Sequence, residues 1–310
     1  MSETIPGRAT PRETVGLIGL GLMGTALADR LIGAGIAVVG FDLEAAKRQK
    51  LVAIGGERAD GIDELAQRCR HVVIAVFSAD QAEAVIAALA GASPASSDRG
   101  RTLICTITCD PAHAVLLAQR AASAGFGFVE APISGTSDQV ARGDGVGLIG
   151  GAPSTDPAVS VILDAVLPRR FHVGDVGDGA RTKLAVNLIL GLNRLALAEG
   201  LAFAERMGLD LAGFFEVVRG SAAYSQVMDT KGGKMITGDF TPQGRVAQTL
   251  KDVHLMLAEA ARLGQELPLC GVNAAVLESC VRHGEGERDS TIVIEELRRR
   301  RAAAPEIASR

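Results

Sequence analysis

The sequence predicts an α/β protein. An N-terminal Rossmann-type doubly wound sheet occupies 12–176, and an all-helical C-terminal domain follows over 177–303, joined to it by a long interdomain helix. Three observations carry this. An apolar strand, Thr14 to Gly19, runs into the glycines of V-G-L-I-G-L-G-L-M-G before helical periodicity begins. Apolar runs and helical segments then alternate as far as Val173. After Gly177 the periodicity is helical almost to the end.

In the opening segment each glycine has its own reason. Gly19 permits a tight turn, Gly21 lets the backbone approach a diphosphate, and Gly24 allows helix and strand to pack closely. The free N–H groups of the first helical turn, around Leu22 and Met23, supply donors to the anion. The helix itself is read over Thr25 to Ala34, with Gly35 ending it. Strand two, Ile36 to Phe41, ends directly at Asp42, where a dinucleotide site wants a carboxylate for the adenine ribose hydroxyls. That acid repels a 2′-phosphate, and Lys47 and Arg48 lie several residues into the next helix, so NAD is expected over NADP. Asp42 can also cap the helix that follows.

Val72 to Phe77 is a continuous apolar run, as for a parallel strand buried on both faces. Its end, Phe77 with Ser78, counts with the cofactor site, and Ser78 opens the next helix. Gly91 to Gly100 reads as surface loop. Thr102 to Ile107 is a strand, and Asp110-Pro111 starts a helix. Phe126 to Glu130 and Val146 to Gly150 are two further strands. Ile162 to Val166 is helical and precedes a strand at Phe171 to Val173. Cys105, Cys109 and His113 suggest a metal, but they need not share a face and no fourth ligand has a recognisable spacing, so none is expected.

Composition narrows the partners. The chain of 310 residues is 47% apolar with net charge -4, neither a disordered chain nor an obvious nucleic-acid binder. One Tyr and no Trp provide no stacking platform for bases. The first residues, M-S-E-T-I-P-G-R-A-T-P, lack the apolar core of a signal peptide. No uninterrupted apolar run is long enough to span a bilayer. Five scattered cysteines read as reduced thiols of a cytoplasmic protein.

The second domain opens with a helix from Ala180 to Met207, punctuated by Gly208. Lys183 and Asn187, four apart, share one face with Gly191; Arg194 and Glu199 turn elsewhere. Asp210 to Arg219 is a short helix, and a polar stretch to Gly233 contains Tyr224. Val246 to Arg262 carries Lys251, Asp252 and His254, Pro268 to Val281 follows, and Ser290 to Arg301 ends in a solvated arginine run suited to a helix C-terminus. Such a domain often buries its apolar faces against a second subunit, so a homodimer or dimer-based tetramer is expected.

Four segments together resemble the beta-hydroxyacid dehydrogenase family. They are G-L-I-G-L-G-L-M-G (16–24), E-A-P-I-S-G-T (130–136), G-D-G-A-R-T-K-L-A-V-N (177–187) and L-K-D-V-H-L (250–255). The resemblance implies hydride transfer between a nicotinamide cofactor and a small 3-hydroxy acid. Lys183 is then the catalytic general acid and base, and Asn187 orients it or binds substrate. Ser134, Gly135 and Thr136 offer donors to the substrate carboxylate. Lys251 closes the cofactor side with Asp252 as its orienter, and Thr106 contacts cofactor near the reacting end. The chemistry agrees: oxidising an alcohol requires an acceptor for the hydroxyl proton, and a lysine serves if burial and a cationic neighbour lower its pKa.

Thr136 stands where many relatives have a second glycine, which favours a polar, polyhydroxylated substrate such as threonate over 3-hydroxyisobutyrate. Tyr224, with Ser221, adds contacts from the far side. The alternatives are an NADPH-dependent semialdehyde or imine reductase and a non-enzymatic dinucleotide-binding scaffold. Lys183 speaks against imine reductases, which generally lack it, and against the scaffold.

Overall fold

The computed structural model describes residues 14–92 and 100–300. The N-terminal residues weighed against a signal peptide, the middle of the 91–100 loop and Arg301 lie outside them. The chain divides into two compact units, 1–183 and 184–310.

In the first unit, β1 (Thr14–Ile18), α1 (Leu22–Gly33), β2 (Ala37–Phe41), α2 (Ala45–Ala53), β3 (Glu57–Arg58) and α3 (Ile62–Arg68) lead to β4 (His71–Ile74) and α4 (Ala79–Ala92). Next come β5 (Arg101–Cys105), α5 (Pro111–Ser123), β6 (Phe126–Glu130), β7 (Ile133–Ser134) and α6 (Ser137–Ala141). The unit continues with β8 (Val146–Gly150), α7 (Pro157–Val166) and β9 (Arg169–Gly174). The first strands run parallel in the order β3-β2-β1-β4-β5-β6, the Rossmann arrangement. Beyond β6 the sheet turns mixed: β8 is antiparallel to β6 and β7, and β9 pairs parallel with β8.

Why these residues form this sheet is visible in its two cores. Val15 and Leu17 of β1 face one side with Leu27 and Leu31 of α1 and Ile162 and Val166 of α7. Ile18, Val72 and Ile74 face the other with Leu65 of α3, Ile86 of α4 and Leu117 of α5. Apolar residues on both strand faces are what a sheet covered by helices on two sides requires. Asp110 caps α5 by accepting from the N–H of His113 at 3.0 Å, with Pro111 in the first turn.

Several boundaries differ from expectation. α1 begins at Leu22 rather than Thr25, because Gly21 is its N-cap. β4 stops at Ile74, and Phe77 and Ser78 lie in the turn before α4, where Gln81 Oε1 accepts from the Phe77 N–H at 2.8 Å. The two-residue strands β3 and β7 are too short for a period-2 pattern to register.

The long helix α8 (Asp178–Arg206) opens on the first unit and continues into the second. By length and averaged composition it is apolar enough to cross a bilayer, with mean hydropathy 1.4 over an 18-residue window, although no run within it is uninterrupted. The core helix of a soluble protein passes the same test. Asn187, Asn193, Arg194 and Glu199 interrupt the run, and the surrounding leucines keep its average high.

The second unit is helical: the remainder of α8, then α9 (Leu211–Arg219), a π-helical turn at Met228–Gly232, α10 (Gly233–Thr237), α11 (Val246–Leu263) and α12 (Pro268–Arg282). A 3₁₀ turn at Ser290–Ile292 precedes α13 (Val293–Arg299). Leu197, Leu201, Phe215, Val253, Leu277 and Ile294 share its core. The arginine run is exposed at Arg299 and Arg300, and it is also paired. Arg298 pairs with Glu205 at 2.7 Å and with Glu295, Arg299 with Glu285 at 2.9 Å, and Arg300 with Glu296 at 3.0 Å. Glutamates on α8 and after α12 meet the run, a tertiary arrangement the local sequence does not announce.

At the base of α11 sits Asp289, wholly buried. Its carboxylate accepts from Lys231 Nζ at 2.9 Å and 3.0 Å and from the N–H groups of Gln243, Gly244 and Thr291. Burial pushes this carboxyl up, but the Lys231 ammonium and the backbone donors outweigh it and hold it below the ordinary carboxylate value. A depressed carboxyl contributes stability above its unfolded pKa and loses it as pH falls through the folded value. Asp289→Ala leaves Lys231 buried without its counter-charge and should lower unfolding free energy by about 3–5 kcal/mol. Urea denaturation at neutral pH measures this, and a loss below about 1 kcal/mol, the scale of an exposed pair, would contradict it. Acidification should narrow the gap between variant and parent.

Candidate active site

The cofactor candidates of the first unit gather at the C-terminal edge of its sheet. Gly19 leaves β1 with φ +93, a left-handed conformation in which a side chain would also strike the Ala75 carbonyl at 2.5 Å. A Cβ on Gly24 would collide with the Gly19 carbonyl, so α1 packs against the turn only with glycine there. Gly21 differs: nothing lies within 4 Å of where its Cβ would be. The N-terminus of α1 has no side-chain cap and no acid in its first turn. Open space beside uncapped N–H donors at Leu22 and Met23 fits a diphosphate.

Asp42 reaches this loop. Its Oδ2 accepts from the Leu20 N–H at 2.8 Å and its Oδ1 from the Glu44 N–H at 2.9 Å. It does not cap α2, whose N-cap is Glu44. Because α2 begins at Ala45, Lys47 and Arg48 lie in its first turn rather than far along it. Lys47 Nζ stands 3.7 Å from Asp42 Oδ2, while Arg48 donates to the Asp42 carbonyl and lies over the Phe41 ring. The sequence places these cations several residues into a helix that follows Asp42 directly; α2 instead starts two residues later, at Ala45, so its first turn carries them beside Asp42.

Thr106, buried just after β5, donates its hydroxyl to the Ile74 carbonyl at 3.0 Å, tying the ends of β5 and β4 together. Phe77 is half-exposed on the loop that follows β4. Cys105 and Cys109 are buried, and burial pushes the Cys105 thiol up to about 12. The His113 ring is 2.6 Å from Asp110. Cys105 thus sits in the strand and His113 engages its own helix cap.

The E-A-P-I-S-G-T segment is anchored at its first residue, which sequence reasoning did not single out. Glu130, 4% exposed, ends β6 and accepts from the N–H groups of Gly177 at 2.7 Å, Ala180 at 2.7 Å and Gly179 at 3.2 Å. These are the first donors of α8, left without intrahelical partners. Burial pushes the carboxyl above its ordinary range, and the three N–H groups pull against that. Ser134 belongs to β7, paired with Val146, and Gly135 follows with φ +141. Thr136 is the N-cap of α6: its hydroxyl oxygen accepts from the Gln139 N–H, and Gln139 returns the bond to the Thr136 N–H. The T-x-x-Q spacing of a capping box was there to be read in the sequence. Lys183, one turn beyond the N–H groups held by Glu130, is buried at 6% exposure.

In the second unit Asn187 Nδ2 donates to Asp252 Oδ2 at 3.0 Å, and Lys251 Nζ lies 3.1 Å from Asp252 Oδ1. Asp252 therefore meets both candidates. Arg194, also buried, donates to Ser290 Oγ at 3.2 Å, and burial pulls its guanidinium down to about 10. Tyr224 is not part of this group. Its hydroxyl donates to Asp229 at 2.5 Å on the surface, where Arg219 also meets Asp229.

A Rossmann sheet with an open, uncapped glycine turn and a carboxylate at the end of its second strand fits the class of NAD(P)-binding oxidoreductases. Comparison with known proteins gives the family. Residues 14–174 match the family described as the NAD binding domain of 6-phosphogluconate dehydrogenase. Residues 177–297 match that described as NAD-binding of NADP-dependent 3-hydroxyisobutyrate dehydrogenase. The chain is 30% identical to L-threonate dehydrogenase of Cupriavidus necator over 91% of its own length and 95% of the relative's. It is 27% identical to the chloroplastic glyoxylate/succinic semialdehyde reductase 2 of Arabidopsis thaliana over 92% and 79%. The crystal structure of a 3-hydroxyisobutyrate dehydrogenase from Salmonella typhimurium superposes with TM-score 0.83 at 28% identity, covering 91% and 99%. The chain belongs to the beta-hydroxyacid dehydrogenase family.

The two glycines make separable predictions. Gly21→Ala should cost about 1 kcal/mol or less in folding yet weaken cofactor binding markedly, whereas Gly24→Ala should destabilise by about 1–3 kcal/mol or more through overpacking. Thermal unfolding and fluorescence titration with NADH separate the cases. Unchanged NADH affinity in Gly21→Ala would contradict the assignment of the open position to the diphosphate.

Proposed function

We propose that the protein transfers a hydride between NAD and a small 3-hydroxy acid, with Lys183 as general acid and base. The observation that carries this is the lysine's burial on an apolar helix. A core has no use for an ammonium there, whereas proton transfer at a carbinol oxygen does. The cofactor accepts or returns the hydride at the nicotinamide. In oxidation Lys183, in its neutral form, takes the hydroxyl proton; in reduction its ammonium returns one and stabilises charge on the oxygen. Ser134 and the Gly135 backbone bind the substrate carboxylate, and Asn187, its amide oriented by Asp252, holds the hydroxyl-bearing end. Lys251 serves the cofactor.

A sugar acid such as threonate is the favoured substrate, supported by the relatedness to L-threonate dehydrogenase. Thr136 contributes to this less directly than its sequence position suggests, since its hydroxyl oxygen already accepts the capping bond. Asp42 supports NAD, but Lys47 and Arg48 beside it favour a second reading, in which they bind a 2′-phosphate and NADPH serves a semialdehyde reductase. The five cysteines are free, buried thiols, which suits a cytoplasmic location. Exposed Ile189, Phe203, Leu269 and Val272 on α8 and α12 support burial against a second subunit in a homodimer.

Lys183→Ala should keep NADH affinity within about threefold while kcat falls by at least about a hundredfold, the lower end of the range for general acid–base groups. Full turnover in that variant would refute the mechanism. Steady-state kinetics with NADH and NADPH decides the cofactor, and a preference for NADPH would overturn the reading of Asp42.

A further inference from the structure

Glu130 lies within the segment that carries Ser134 and Gly135, yet its carboxylate touches neither. Both oxygens are committed to the start of α8: Oε2 to the N–H groups of Gly177 and Gly179, and Oε1 to that of Ala180. The surrounding glycines are shaped to this head group. A Cβ on Gly179 would fall 2.7 Å from Glu130 Cδ, and one on Gly150 would collide with Oε2. An ionised carboxylate is acceptor-only and suits three converging donors, whereas an amide would turn a donor toward them.

Lys183 stands three residues after Ala180. Long helical side chains point back toward the N-terminus, over the preceding turn. A lysine stem in that direction runs along the turn that Glu130 grips. We propose that Glu130 is a positioning residue for Lys183: by fixing the first turn of α8 to the end of β6, it sets the ammonium in register with Ser134, four residues after Glu130. The inference rests on the reading of Lys183 as the acid–base group. It assigns Gly177 and Gly179 of the G-D-G-A-R-T-K segment to Glu130 rather than to substrate.

The test is a double-mutant cycle on the full-length protein, with kcat, substrate KM and NADH affinity measured for each variant. Glu130→Gln should fold and bind NADH as the parent does, with kcat reduced about 10- to 100-fold and KM changed far less. Added to Lys183→Ala, the same substitution should cost nothing further in kcat, because no lysine remains to be positioned. Glu130→Asp, which keeps the charge on a shorter stem, should fall between parent and Glu130→Gln, and it carries the cycle if the amide variant does not fold. Parental kcat in Glu130→Gln, or an equal kcat loss from that substitution with and without Lys183, would overturn the proposal, the second by showing a general structural effect. Full activity of Lys183→Ala alone would instead defeat the functional reading, which keeps the two failures distinct.

Discussion

A single buried carboxylate organises the chemistry-bearing half of the first unit. Glu130 closes β6, begins the segment that carries Ser134, and satisfies three donors at the start of α8. A helix entering from a sheet edge leaves its first N–H groups unpaired, and burying them without acceptors costs on the order of 1–3 kcal/mol each. A carboxylate removes that cost and also draws together two segments about fifty residues apart. Gly150 and Gly179 follow from it, since any side chain would expel the head group. So does the position of Lys183, one turn along the same helix.

The second unit has its own buried centre in Asp289. Its bonds to Lys231, Gln243, Gly244 and Thr291 fix the approach to α11, and α11 presents Lys251 and Asp252. Asp252 then joins Asn187 of α8 to Lys251. Both units thus use a buried carboxylate to hold backbone N–H groups. The side chains proposed to function follow on the regular elements so anchored, where their positions are better fixed than on loops.

The fold was legible where local chemistry decides it. The glycine turn, the apolar parallel strands, the Asp110-Pro111 start and the long helical periodicity all announce themselves within a few residues. What escaped the sequence depends on distant partners. Glu130 reads as one more polar residue at a strand end until Gly177 to Ala180 are seen against it. The arginines at 298–300 read as a solvated run, and their pairing with Glu205 and Glu285 shows only in the fold. The bond that the Tyr224 hydroxyl gives Asp229, five residues on, is likewise invisible in the polar stretch that contains it. The capping box at Thr136 is local, written in the T-x-x-Q spacing itself.

The central claim is that a hydroxy acid gives its hydride to a dinucleotide bound at the Gly19–Gly24 turn. The most direct measurement is a screen of small 3-hydroxy acids and four-carbon sugar acids with NAD and NADP, following the nicotinamide absorbance. Transfer from a substrate deuterated at the carbinol carbon is then traced by NMR of the reduced cofactor. The account predicts reduction of NAD with at least one polar hydroxy acid and deuterium at C4 of the nicotinamide. Binding of the dinucleotide without reduction by any hydroxy acid, and without oxidation by the corresponding carbonyl acids, would contradict it.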